Sequence, residues 1–257
     1  MTTWRSARCC LACAWPALLL LVPACDDATT PGSDPLSQTL TSAHYVYHLA
    51  QGDAVDTTWQ ERYLAWLMPA LDLQFNSRLD YFKYRNRSHI TALTGRATNG
   101  YAEPGTTRFH TIWPTDNHEA VHALVILLMG HPPALFNEGV AVAHQTLPPS
   151  GILTPRWSGQ DVHVLARQFD ATGRLPSLDQ LVASTSFFQF DTNVTYPMAG
   201  SFVRYLIDTH GLATFKVFLR NSRFDAAPTQ TESAFQTAYG RSISAVWTEW
   251  RSWLRGP

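Results

Sequence analysis

The stretch TDNHEAVHALVILLMGHPPALFNEGVAVAHQ, residues 115–145, sets His118, Glu119 and His122 at the head of an almost unbroken apolar run. A second acid, Glu138, follows a break made by Gly130, Pro132 and Pro133. Residues four apart in an α-helix lie on one face, a turn above one another, so a helix over 116–129 points His118 and His122 the same way. Glu119 stands about 100° round the axis, beside whatever the two imidazoles face. Thr115 or Asp116 supplies an N-cap, and Gly130 with the following His-Pro-Pro supplies a stop, so both ends of the helix are specified.

The rest of that helix, ALVILLM, is apolar on every side and belongs in the core. Ionisable groups on its first turn therefore sit at the edge of buried territory, where an unpaired imidazole or carboxylate is costly. A divalent cation compensates. Two imidazole nitrogens, joined by the Glu138 carboxylate from a second helix over 134–146, make a three-ligand set with one position left for water, the make-up of a catalytic zinc site. Glu119 then stands where a carboxylate can take a proton from that water. Gly139 and Ala141 keep the second helix thin where it approaches the first.

Composition bounds the rest. The 257 residues are 45% hydrophobic and 12% aromatic, ample for a packed core. The formal net charge of -1 leaves no basic excess to neutralise phosphates, which excludes nucleic acid as a partner.

Residues 1–24 read as an export signal: Arg5 and Arg8 precede CCLACAWPALLLLVPA, an apolar segment too short for a lasting membrane span. All four cysteines, Cys9, Cys10, Cys13 and Cys25, lie in the first 25 residues, so the folded part is expected to have no disulfides. The segment LVPAC, 21–25, resembles the lipobox of bacterial lipoproteins, which implies cleavage before Cys25, lipidation of that residue and anchoring of the exported protein to a membrane of the bacterial cell envelope. Residues 25–39 then form a lipidated cysteine and a polar, flexible tether, and the folded domain occupies 40–257.

Beyond the tether, TTWQERYLAWLMPALDLQF (57–75) has helical apolar spacing and RLDYFKYRN (78–86) reads as a strand. SHITALTG (88–95) reads as a short helix, and NGYAE (99–103) and TRFHTIW (107–113) as strands. From Thr115 onward the signals are helical: 116–129, 134–146, about 160–169, 195–209, 212–221, 230–239 and 243–255. Strands first and helices later predict an α+β fold, a small N-terminal mixed sheet with helices packed against a mostly helical C-terminal half. Trp247, Trp250 and Leu254 recur at helical spacing and read as the buried face of the last helix rather than a membrane-surface patch.

HEAVH followed after fifteen residues by NEGVA resembles the gluzincin metallopeptidases, the HExxH class with a downstream glutamate ligand, and in particular their bacterial peptidase MA-like branch. YPMAGSFVRYLIDTHG (196–211) resembles the helix that follows the metal site in these proteins, and AFQTAYGRSISAVWTEWRSWL (234–254) their closing helical pair, so the likeness covers roughly 80–255. The resemblance implies a thermolysin-like zincin core, one zinc ion held by His118, His122 and Glu138, and Glu119 as the general base of peptide-bond hydrolysis. It also implies a Tyr or His beyond the ligand set that stabilises the oxyanion. Tyr196 is the candidate, at the start of a helix with Pro197 next, and His210 a weaker one.

In that class an edge strand pairs with the extended peptide, a role open to NGYAE or TRFHTIW, and Gly100 and Ala102 favour the first. Asn137, beside Glu138, is placed to orient a ligand or substrate. The remaining histidines lack metal spacing, apart from His44 and His48, which have no acid between them in a ligand-like arrangement. Two other roles fit the same residues: a zinc- or peptide-binding envelope lipoprotein without turnover, and a structural lipoprotein without metal. An intact Glu119 argues for the peptidase, since binding needs the ligands but not the base.

Overall fold

The computed structural model describes residues 35–147 and 154–256. The export signal and Cys25 lie outside the described residues. Among the described residues the first strand starts at Gln38, two residues ahead of the expected boundary at 40.

The protein is a mixed α+β fold. Its sheet is built from β1 (Gln38–Thr41), β2 (Tyr45–Leu49), β3 (Leu79–Lys83), β4 (Gly100–Ala102) and β5 (Arg108–Thr111) in the order β1-β2-β3-β5-β4. β2, β3 and β5 run parallel, and β1 and β4 pair antiparallel at the two edges. Helix α1 (Thr57–Ala70) links β2 to β3 and α2 (Arg87–Thr94) follows β3. The first two strands were not anticipated. β1 keeps only one residue even partly buried and so has no apolar rhythm, whereas β2, YVYHL, does alternate but over only five residues.

Alternation sorts the two faces of the sheet. Tyr45 and Tyr47 of β2, Tyr81 of β3 and Phe109 of β5 point inward and touch ring to ring, with centroids 5.4 Å apart for Tyr47–Tyr81 and 4.7 Å for Tyr81–Phe109. The Tyr81 hydroxyl donates to the carbonyl of Trp113 and that of Tyr63 on α1 to the carbonyl of His144, whereas the buried hydroxyls of Tyr45 and Tyr47 have no hydrogen-bond partner among the described residues. On the outer face His48, Phe82, His110 and Tyr101 align in one cross-strand row and stack at 4.3–4.7 Å.

Next come α3 (Asn117–Leu128) and α4 (Ala134–His144), and then a hairpin of β6 (Arg156–Trp157) and β7 (Gln160–Asp161). The helical half is completed by α5 (Val162–Ala171), α6 (Leu178–Val182), α7 (Ser184–Phe187), α8 (Thr192–His210), α9 (Leu212–Asn221), α10 (Pro228–Tyr239) and α11 (Ile243–Arg255). The two short helices α6 and α7 carry too few turns to show a period. The last turn of α3 departs from expectation: Ile126, Leu127 and Leu128 are only half-buried, and the fully buried stretch runs from Ala120 to Val125. Trp247, Trp250 and Leu254 are buried, the first two against Phe202 of α8, while Trp253 stands about half exposed. Among the described residues no helix is long and apolar enough to cross a membrane.

Every residue of α4 is buried. It lies against α8 through two glycines: a Cβ on Gly139 would stand 2.5 Å from Val203 Cγ2 and 2.7 Å from the carbonyl oxygen of Ala199, and one on Gly200 would stand 2.4 Å from Val142 Cγ1. Gly139 therefore thins α4 toward α8, not toward α3 as the sequence suggested. Ala at an exposed helical position is better than Gly by about 1 kcal/mol. Here the clash with main chain reverses the sign, and Gly139→Ala is expected to lower unfolding free energy in urea titrations by about 1–3 kcal/mol.

Candidate metal centre

The first turn of α3 is fixed by Asp116, whose carboxylate accepts the Glu119 N–H at 3.0 Å. Of the two caps the sequence offered, Asp116 is the one used, and Gln60 of α1 donates to its main-chain carbonyl at 3.2 Å. The helix stops at Gly130, where φ is +126° and a Cβ would stand 2.4 Å from the carbonyl oxygen of Leu219. The chain then turns through Pro132 and Pro133 into α4, whose first N–H donates to the Ser184 hydroxyl at 2.9 Å. That reversal carries Glu138 back onto the face of α3 that holds the two histidines.

Three lone-pair atoms meet there. Glu138 Oε2 is 3.2 Å from His118 Nε2 and 3.2 Å from His122 Nε2, and the two Nε2 atoms are 3.1 Å apart. Ligands about 2.0–2.1 Å from a tetrahedral ion stand about 3.3–3.4 Å from one another, so the triangle matches one face of a zinc coordination shell. Among the described residues this is the only group of three or more His, Cys, Asp or Glu side chains close enough to hold an ion. The donor set, two imidazoles and a carboxylate, suits a borderline divalent cation.

Burial raises the Glu138 carboxyl, but the charge of His122 and hydrogen bonds from both imidazoles override it and hold the group well below the usual carboxylate range. Burial works against the charge on His118, and the neighbouring Glu138, Glu119 and Asp116 outweigh it, raising this imidazole to about 9. These shifts describe a pocket already arranged to hold positive charge. The low-polarity surroundings of Glu119 push its carboxyl up to about 7, against the opposing pull of His122.

His118 and Glu119 open onto a cleft of about 610 Å³, while His122 and Glu138 lie beneath it. Tyr196 lines the same cleft, its ring 6.0 Å from that of His118 and 5.1 Å from that of Trp157. It does not open its helix as expected. α8 starts at Thr192, capped by Asp191, so Tyr196 sits in the second turn and Pro197 is interior. Burial and the nearby Glu138 and Glu119 carboxylates raise the phenol far above its ordinary value, which keeps its proton in place as a hydrogen-bond donor.

The cleft's other wall is the edge strand β4. Ile112 donates to the Asn99 carbonyl at 3.0 Å and Glu103 donates to that of Arg108 at 2.9 Å, so residues 99, 101 and 103 face β5. Gly100 and Ala102 therefore turn their main-chain groups away from the sheet. The Thr98 hydroxyl donates to the outward carbonyl of Gly100 at 2.8 Å and accepts its N–H at 3.3 Å. Gly100 also packs directly on the acid, since a Cβ there would stand 2.9 Å from Glu119 Oε1. TRFHTIW, the other strand considered for the edge, is internal.

Other residues singled out in the sequence lie elsewhere. His110 is buried on the outer face of the sheet between Tyr84 Oη and Glu103 Oε1, each 2.8 Å from a ring nitrogen. His210 closes α8 against Tyr205 and Tyr239. His44 pairs with Glu61 and His48 with Asp80. Asn137 is buried and its Oδ1 has no partner, as is also true of His122 Nδ1. The sequence did not point to Trp113, Trp157 or Gln145, all of which line the cleft, because none stands at a periodic or motif position.

No protein-family model matches the chain, and no curated protein sequence matches it. The centre makes its own prediction. Elemental analysis of the purified protein is expected to find one divalent ion per chain and none in His122→Ala, and zinc at about 100 times its Kd should stabilise the wild type by about 2.7 kcal/mol in melts against a chelator control.

Proposed function

We propose that the protein is a zinc-dependent peptidase of gluzincin type, held outside the cytoplasm by a lipid on Cys25. The observation that carries this reading is the meeting of His118, His122 and Glu138 donor atoms at 3.1–3.2 Å with Glu119 beside them on an open cleft. Ligands on α3 and α4, with the edge strand β4 packed on the acid, also support a thermolysin-like zincin core. Zinc in this set would supply a polarised carbonyl and a water acidic enough to ionise near pH 7.

The chain's own groups would do the rest. Glu119 accepts a proton from water as the water oxygen bonds to the peptide carbonyl carbon. It then delivers that proton to the departing nitrogen as the C–N bond breaks, and the second proton of the water follows, leaving a carboxylate and an ammonium group. Tyr196, held protonated, donates a hydrogen bond to the carbonyl oxygen as negative charge builds on it. An extended peptide or protein segment would pair with the outward groups of Gly100 and Ala102, with the Thr98 hydroxyl turning aside to admit it.

The export signal and the lipobox-like LVPAC support anchorage in the bacterial cell envelope, with residues from Asp26 onward as a spacer from the membrane. In casein-peptide hydrolysis, Glu119→Gln is expected to keep its zinc and to lose about 10²–10⁴-fold in kcat. Tyr196→Phe should lose about 10²–10³-fold in kcat with little change in KM. Zinc bound by the wild type without cleavage of any peptide would replace the peptidase with a zinc-binding envelope lipoprotein. A wild type that takes up no metal would overturn the reading altogether.

A further inference from the structure

Gln145 is the first residue past α4, and its side-chain amide spans from the metal centre to the β6–β7 hairpin. His118 Nδ1 lies 2.8 Å from Gln145 Oε1, and Gln145 Nε2 donates to the carbonyl of Arg156 at 2.8 Å. The second bond decides the first. A carbonyl can only accept, so the end of the amide facing Arg156 must be its NH2 group, and the end facing His118 must be its oxygen. That oxygen also can only accept, so the hydrogen of neutral His118 resides on Nδ1. Nε2, the atom turned toward His122 and Glu138, is left with its lone pair free.

Both ends of the bridge are themselves held. Asn117 Nδ2, one residue before His118, donates to the main-chain carbonyl of Gln145 at 2.8 Å. Arg156 N–H donates to the Thr146 hydroxyl at 3.2 Å, and the Arg156 guanidinium donates to the carbonyl of Gly159 at 2.7 Å. A closed ring of hydrogen bonds thus joins the first turn of α3, the end of α4 and the hairpin that carries Trp157 into the cleft. A carboxylate in place of the amide would accept from His118 equally well but could not donate to Arg156.

We infer that Gln145 is the positioning residue of the metal centre: its neutral amide locks His118 in the tautomer and plane that a cation requires and ties the cleft wall to the ligand set. This rests on the metal-binding part of the proposed function and not on turnover. Partners that orient a ligating histidine typically contribute 10–100-fold to metal affinity.

The test is zinc affinity of the full chain in detergent, measured by competition with a chromophoric chelator, for wild type, Gln145→Met and Gln145→Glu. Thermal melts in excess chelator identify variants that fold, and the visible spectrum of the cobalt-loaded proteins reports ligand geometry. Gln145→Met is expected to bind zinc about 10–100-fold more weakly with an altered cobalt spectrum. Gln145→Glu, which keeps the acceptor for His118 but not the donor to Arg156, should hold wild-type affinity within a few-fold; a merely space-filling role would leave Gln145→Met, of similar size, equally unaffected. Equal affinity and an unchanged cobalt spectrum in Gln145→Met, or an equal loss in both variants, would overturn the proposal while leaving the metal centre intact. A wild type that binds no zinc would remove the metal reading itself, and the positioning role with it.

Discussion

The contact of α4 with α8 at Gly139 and Gly200 governs the centre of this molecule. Side chains at those positions would hold the two helices apart by the width of a methyl group, and α4 would move as a body. Glu138 is the neighbour of Gly139, and it must reach back to Nε2 atoms on α3 within a few tenths of an ångström. α4 is a fully buried strut between α3 and α8, fixed at its start by Ser184 and at its end by the bridge through Gln145. Close packing at the glycines thus becomes ligand geometry one residue away.

Electrostatics then act on what packing has assembled. Two imidazoles and a carboxylate at the floor of a cleft are costly to desolvate, and their mutual attraction offsets part of that cost. Asp116 adds a further buried carboxylate, raised by burial and lowered by the Glu119 N–H it accepts, which ties the helix cap to the same cluster. The shifts in the cluster follow from burial set against one arrangement of charges, three acidic groups around two imidazoles: burial prevails at Asp116 and Glu119, and the opposite charges prevail at His118 and Glu138. Glu119 has neither Glu138's two imidazole contacts nor the N–H that Asp116 accepts, and burial raises its carboxyl against the pull of the imidazoles.

Much of the centre was readable before any coordinates, because its geometry is short-range. His118 and His122 share a face through helical spacing alone, and Asp116, Gly130 and the Pro132–Pro133 pair mark the turns that return Glu138. Tyr196 is reached by resemblance, but its local setting differs from the sequence expectation: Pro197 suits a first turn, yet Asp191 caps the helix five residues before Tyr196. The N-terminal sheet was only partly readable. β1 is exposed along nearly its whole length, and a strand that buries nothing has no pattern to show.

By itself the sequence determined which residues could converge: spacing along one helix, a break, and an acid on the next are set by local hydrogen bonding and by Gly and Pro. The identity of the groups surrounding them was decided by tertiary structure alone. Gln145 meets His118 across 27 positions of chain, Tyr196 across 78, and Gly100 meets Glu119 from a sheet edge. Such meetings depend on how faces of helices and strands pack, a property of the whole core that no local spacing records.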